Sequence, residues 1–305
     1  MKTEINHFLD TLDRSPRTIF AYRNALEQFV KVVGDNADLT TETYTKFLIS
    51  LKSKAPSTQV VYTTAVLKFY AFQRAGNLAE LQDATQHHTR KQGKSIVNFN
   101  REAVDQILAY CISMSGNAST SLSANLEALR DRAFVLTLAD TGLRISEACA
   151  LKRGDVDWQQ QRAIIIGKGD KQALILFSNR AIESLRVYLH ARVGVEQNSH
   201  RPIASQPLFA RHDIRASKTI RPITSGGMWK AIKERMEEAG LERNAVRIHD
   251  FRHYFVTMTY LAKHDLKLSQ ILARHESIST TYRYAHLSNE ADEAYNEIFN
   301  KKHDD

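Results

Sequence analysis

Cysteine is scarce. Cys111 and Cys149 are the only two in 305 residues, and both fall in apolar helical patterns. That excludes a disulfide framework and predicts two buried, reduced thiols. No run of about 18 apolar residues occurs, so no membrane-spanning helix is expected. The opening Met1-Lys2-Thr3-Glu4-Ile5 lacks the apolar core of a signal peptide. Together these absences predict a cytoplasmic protein. There is no internal repeat and no low-complexity tract. The Gly-x4-Gly-Lys-Ser/Thr spacing of a phosphate-cradling loop is missing, and so is a His-Glu-x-x-His zinc helix. Acidic residues are outnumbered, 34 Asp and Glu against 42 Lys and Arg, giving a net charge of +8 and a pI near 9.4. Such a balance favours a polyanionic partner.

What is present is a helical pattern with 43% hydrophobic residues, enough for a substantial core. Residues 1–86 read as a small bundle. Ser15-Pro16 opens a helix carrying Ile19, Tyr22, Leu26, Phe29 and Val30 at helical spacing, stopped by Gly34. Tyr44, Phe47, Leu48 and Leu51 mark a second helix. Ser57 or Thr58 is the expected cap of a third, with Tyr62, Val66, Phe69 and Tyr70 as its stripe and Gly76 as its end. Residues 87–97, with Arg90, Lys91 and Lys94, read as a basic linker. A longer domain spans 98–305. Its helices are marked by Val104, Ile107, Leu108 and Cys111, then Leu126 to Leu136, then a short one opened by Arg144. Runs at 163–166 and 173–177 predict a β-hairpin around Gly167-Lys168-Gly169-Asp170-Lys171. Residues 194–222 form a long polar segment with Arg201, Arg211, Arg215, Lys218 and Arg221, read as a DNA-facing loop or an insertion without special role. Ala291, Ala294, Tyr295, Ile298 and Phe299 predict a short amphipathic helix near the C-terminus.

The chemistry concentrates between Ile248 and His286. His249 and Arg252 lie three apart, on one face of a helix. His275 follows one helix later, and Tyr284 lies nine residues beyond it. A cation and two imidazoles can hold the negative charge of a phosphate, and a phenol can attack it. Tyr282 is a rival nucleophile; on a helix it would point elsewhere.

His249-x-x-Arg252, His275 and Tyr284, together with Arg144 in Thr141-Gly142-Leu143-Arg144 and Lys168 in the Gly-Lys-Gly-x-Lys turn, resemble the tyrosine recombinase (phage integrase) family. The likeness covers nearly the whole chain and is nearest to two-domain, Xer-like members. It implies a mainly α fold with a small β-hairpin or sheet: an N-terminal SAM-like core-binding bundle and an α+β catalytic domain. It implies that Tyr284 attacks a DNA phosphate to give a 3′-phosphotyrosyl link. Arg144 and Arg252 would clamp the non-bridging oxygens, and Lys168, or Lys171 on the same turn, would protonate the leaving 5′-oxygen. His249 would accept the tyrosine proton or bond the phosphate, and His275 would donate to it. Glu147, three residues after Arg144, would orient the cations; its plainer role is an ion pair within the helix. Neither metal nor nucleotide cofactor is implied. The bundle would grip duplex DNA, with Arg17, Lys52, Lys54, Lys68 and Arg74 as candidate contacts beside the linker cations.

The implied partners are double-stranded DNA with inverted core sites, accessory DNA-binding proteins, and further copies of the chain in a homotetramer docked through the C-terminal helix. The implied setting is a bacterial, archaeal or phage-encoded, nucleoid-associated protein. Outcomes open at this point are integration, excision and resolution, with a mobile element among the settings. Three alternatives compete: a catalytically silent DNA-binding protein, a type IB-like topoisomerase or telomere resolvase, and a zinc enzyme using His249 and His253. Three positions depart from the family pattern: Arg274 stands where Gly usually precedes the histidine, Lys263-His264 replaces an interhelical Gly, and Asp140 precedes Thr141.

Overall fold

The structure is a computed structural model that describes residues 1–88, 99–114, 121–166, 172–196, 202–213, 220–275 and 281. It divides into two compact units, Met1–Ser95 and Ile96–Asp305.

The first unit is helical. It comprises α1 (Lys2–Asp10), α2 (Pro16–Val33), α3 (Thr41–Ser50), α4 (Pro56–Phe72) and α5 (Leu78–His88). Ser15 caps α2 by accepting from the Thr18 amide, with Pro16 in the first turn, where a missing N–H costs nothing. Thr40 and Thr43 cap α3 reciprocally. The helices enclose Phe8, Leu26, Phe29, Tyr44, Phe47, Phe69 and Tyr70. Phe29 meets Phe47 edge-on with ring centroids 5.3 Å apart. Buried tyrosines need partners, and Tyr44 has Thr85 at 2.6 Å.

Two expectations fail here, and two helices are additions. Helices α1 and α5 were not read from the pattern, and α5 carries helix through His88, past the expected bundle end at residue 86. Neither Ser57 nor Thr58 caps α4: Pro56 occupies its first turn, and the N-cap Ala55 makes no side-chain bond. Gly76 does not end α4. The chain turns at Gln73, and Arg74 takes the positive φ of 55°.

The second unit holds α6 (Arg101–Ser113), α7 (Leu122–Thr141), α8 (Ile145–Ala150), β1 (Val156–Asp157), β2 (Arg162–Ile166), β3 (Gln172–Leu176), α9 (Asn179–Glu196), α10 (Ser225–Glu238), α11 (Asp250–Lys263) and α12 (Leu266–Ala273). Helix α7 is the spine. It is buried on nearly every side, with Leu126, Phe134, Val135, Leu136, Leu138 and Ala139 inside together with the paired Arg130 and Asp131, as suits a helix surrounded by partners. It packs on α6, α9, α10 and α11. The strands form an antiparallel sheet in the order β1-β2-β3, with Ile166 opposite Gln172. The two-residue β1 was not foreseen.

The polar segment 194–222 is also corrected. It begins inside α9, and Leu208, Phe209 and Ala210 are buried. Phe209 stands edge-on to Phe134 at 4.7 Å. Arg192, fully buried, donates to the carbonyls of Pro207 (2.9 Å) and Leu208 (3.1 Å) and to Glu196 (2.7 Å). Backbone that runs inward must satisfy its polar groups, and here a guanidinium does so. Arg211 is held by Asp213 at 2.9 Å; Arg201, Arg215 and Lys218 lie outside the described residues.

Candidate active site

The site is built where α7 ends. Gly142 leaves the helix in the left-handed conformation (φ 60°, ψ 21°), and its amide still bonds Leu138 O at 3.1 Å. Thr141 Oγ1 donates to Thr137 O and accepts from the Leu143 amide, fixing the turn. A Cβ on Gly142 would stand 2.5 Å from Phe255 Cδ1, so glycine is required there on steric grounds, and it also adopts this backbone without strain. The turn delivers Arg144 to the N-cap of α8, its side chain about half exposed at 47%. Glu147, one turn on, accepts the Arg144 amide at 2.9 Å and Nη1 at 2.6 Å. The Arg144 hydrogen bonds hold the Glu147 carboxyl below the usual range despite its burial.

Arg252 enters from the first turn of α11 and is 7% exposed. Its Nη1 donates to Gly142 O at 2.6 Å, and its Nη2 donates to Ala273 O. One guanidinium therefore joins the ends of α7 and α12. His249 is the N-cap residue of α11 and is exposed. His253 follows one turn later, its ring 6.1 Å from that of Phe99. Among the described residues, no group of three or more His, Cys, Asp or Glu is placed to hold a metal ion.

Arg274 ends α12 in the left-handed region (φ 57°, ψ 43°), and His264 ends α11 likewise (φ 51°). Two of the departures from the family pattern thus occupy the conformation that glycine adopts without strain. His275 follows. Its amide bonds Gln270 O at 3.1 Å, its carbonyl accepts from Gln270 Nε2 at 3.1 Å, and its Nδ1 lies 2.8 Å from the buried Thr281 Oγ1. Burial, then the Arg252 and Arg144 cations, push His275 down to about 4. The imidazole is neutral at pH 7. It can give or take one hydrogen bond through Nε2 without adding a charge.

The third departure, Asp140, has a structural account. It accepts from Arg180 Nε at 2.6 Å and from Ser178 Oγ at 2.5 Å, so the last turn of α7 is pinned to the start of α9.

Arg144, Glu147, Arg252 and His275 are therefore gathered around one turn. Sequence reasoning did not place Thr281 or the Gly142 and Ala273 carbonyls among them, nor the contacts that Arg274 makes to Gly142 and Glu147. Lys168, Lys171, Tyr282 and Tyr284 lie outside the described residues, as do Arg90, Lys91, Lys94 and the expected C-terminal helix. In the first unit Arg17, Lys52, Lys54 and Arg74 are exposed, and Lys68 is half-buried on α4.

Comparison with known proteins bears on the whole chain. The model of the phage integrase family matches residues 98–291. Tyrosine recombinase XerC of Herpetosiphon aurantiacus is 30% identical over 303 residues, covering 95% of this chain and 92% of that protein. Tyrosine recombinase XerD of Listeria innocua is 28% identical over 283 residues, covering 90% and 89%. The same fold is seen in the XerH site-specific recombinase bound to a palindromic difH substrate (TM-score 0.66, 20% identity, 93% of this chain and 80% of that one). It is seen again in the Tn1549 transposon integrase in complex with transposon right end DNA (TM-score 0.64, 14% identity, 98% of each).

Proposed function

The chain belongs to the phage integrase family and is a tyrosine-type site-specific DNA recombinase; from that premise we propose that Arg144, Arg252 and His275 hold the scissile phosphate while Tyr284 attacks it. The observation that carries this reading is the convergence of the three groups on the turn at Gly142, with Arg252 and Arg144 each fixed by its own acceptor.

A phosphodiester is anionic and repels a second anion. Cleavage needs the non-bridging oxygens neutralised before the nucleophile approaches. Guanidinium groups suit that task, being planar, permanently charged and forked like the oxygens they bind. Arg252 arrives preorganised, since both terminal nitrogens already donate to carbonyls. Arg144 is half exposed and tethered by Glu147, so it can close on a phosphate without losing its aim. Neutral His275 donates from Nε2 to an oxygen of the transition state. The Tyr284 oxygen bonds to phosphorus, the bond from phosphorus to the 5′-oxygen breaks, and Lys168 gives the departing oxygen its proton. His249, exposed at the start of α11, takes the phenolic proton. The phosphotyrosyl ester conserves the bond energy, so a 5′-hydroxyl from a partner strand can reverse the step. Two such rounds exchange strands.

The first unit grips duplex DNA through Arg17, Lys52, Lys54, Lys68, Arg74 and the cations of residues 90–94. Four copies act on two paired inverted sites, joined through the C-terminal segment. DNA-bound XerH and Tn1549 integrase share the fold and support duplex DNA as the partner.

The test uses a duplex selected by the protein from a random library, nicked so that the cut fragment diffuses away, with EDTA present. Wild type and Tyr282→Phe should form a covalent protein–DNA band, and Tyr284→Phe should bind without forming it. A band that survives in Tyr284→Phe moves the nucleophile to Tyr282. No band with wild type on a bound site would leave a binding protein.

A further inference from the structure

We propose that Arg274 is a positioning residue of the recombination site, holding Glu147 and the Gly142 carbonyl so that Arg144 and Arg252 share one fixed frame. The proposal rests on the reading of Arg144 and Arg252 as the phosphate clamp.

Arg274 is held at two costs. Its backbone is left-handed, where a side chain crowds the following carbonyl. Its guanidinium is only 13% exposed, and burial pulls its affinity for a proton below the ordinary arginine value. A glycine there would carry neither cost. What the side chain reaches accounts for both. Nη2 donates to Gly142 O at 3.2 Å, the same carbonyl that accepts Arg252 Nη1 at 2.6 Å. The same Nη2 lies 3.6 Å from Glu147 Oε2, the oxygen that accepts the Arg144 amide at 2.9 Å.

Arg274 therefore sits between the anchors of the two clamps. Glu147 lies between Arg144 and Arg274, and Gly142 O lies between Arg252 and Arg274. Through these contacts the end of α12, which leads into His275, is tied to the turn after α7. Charge points the same way. Glu147 alone would cancel one of the two clamp cations. With Arg274 included, three guanidinium groups face one carboxylate, and the excess positive charge suits the dianionic transition state of a phosphodiester. Both contacts of Arg274 run from Nη2 to groups that anchor the clamps, so it acts through its neighbours rather than on the phosphate.

The test uses full-length protein and the same selected, nicked duplex. Site affinity, single-turnover rate of covalent-band formation and melting temperature are measured for wild type, Arg274→Gly, Arg274→Lys, Glu147→Gln and the double variant Arg274→Gly/Glu147→Gln. Arg274→Gly should melt at or above wild type, because the strain is removed, and bind within about twofold. It should cleave roughly ten- to a hundredfold more slowly, the scale expected when reacting groups lose their alignment. Arg274→Lys, which keeps the charge, should recover part of the rate. The double variant should be no slower than the slower single variant, since both changes break one link. Cleavage by Arg274→Gly within about twofold of wild type overturns the proposal. So does no recovery in Arg274→Lys, or multiplying rate losses, which would mark Arg274 as an independent phosphate ligand. Failure of wild type itself to form the band would instead sink the reading of the clamp.

Discussion

Replacing Gly142 with alanine tests the centre of the site, because two separable penalties meet there. The backbone at φ 60° costs a non-glycine residue roughly 1–2 kcal/mol. The new methyl would also stand 2.5 Å from Phe255 Cδ1 and 3.0 Å from Cγ, distances that force the ring or the turn to move. Overpacking of this kind costs about 1–3 kcal/mol. The sum is about 2–5 kcal/mol, which in a unit of about 210 residues lowers the melting temperature by roughly 5–15 °C. Calorimetry or far-UV circular dichroism on the full chain measures it. The two penalties separate in Gly142→Ala/Phe255→Leu, where the smaller side chain relieves the overlap but not the backbone strain. About half of the loss should return. Cleavage should fall further than stability implies, since Gly142 O is the acceptor that holds Arg252. A melting temperature within about 2 °C of wild type would refute the steric reasoning, and so would a double variant no better than the single one.

Two further outcomes follow from buried polar groups. Burial, then the cations Arg130 and Arg192, push His212 down to about 3, while in the unfolded chain it titrates near its ordinary value. Between those values the unfolded state takes up a proton the folded state refuses, so stability is full above about pH 6.5 and falls on acidification. The slope approaches about 1.4 kcal/mol per pH unit. Urea midpoints between pH 7.5 and 4.5 should show it, and His212→Gln should flatten it by about one proton; an unchanged slope contradicts the assignment. Arg192→Met removes the donor that serves Glu196, Pro207 O and Leu208 O. Glu196 keeps Arg153 as a partner, so the cost comes mainly from the two buried carbonyls left without a donor, about 1–3 kcal/mol each, and a urea-measured loss below about 1 kcal/mol would mean that water replaces the guanidinium.

Much of the fold was legible because its helices bury regular stripes. Val104, Ile107, Leu108 and Cys111 are buried at the spacing that predicted α6, and Ser15-Pro16 opens α2 as its chemistry requires. The omissions have physical causes. Helix α5 buries Leu81 deeply but has little else to announce a stripe. The strip from Leu208 to Ala210 is three apolar residues in a polar context, and its burial depends on Arg192, which reads as a surface cation in sequence. The site divides along the same line. Arg144, Arg252 and His275 could be named because the motifs that carry them resemble those of the tyrosine recombinase family. The contacts of Arg274 could not, because they run back to Gly142 across the fold and arise from a left-handed turn that no periodicity signals.

That turn also decides why glycine is needed at one position and not at two others. Gly142, His264 and Arg274 share nearly the same backbone, at φ 60°, 51° and 57°. Left-handed strain alone therefore does not forbid a side chain, and at His264 and Arg274 the chain carries it. His264 keeps its amide bonded to Tyr260 O at 2.6 Å with its ring 6.0 Å from that of Tyr260, and Arg274 gains its contacts to Gly142 and Glu147. What sets Gly142 apart is Phe255, which occupies the place a Cβ would take. Phe255 lies on the same helix as Arg252, so the close approach that excludes a methyl at 142 is the one that brings the Gly142 carbonyl within reach of the guanidinium. The glycine requirement and the arginine anchor are then one packing decision, and the part of the loss in Gly142→Ala that Phe255→Leu restores measures how tightly they are coupled.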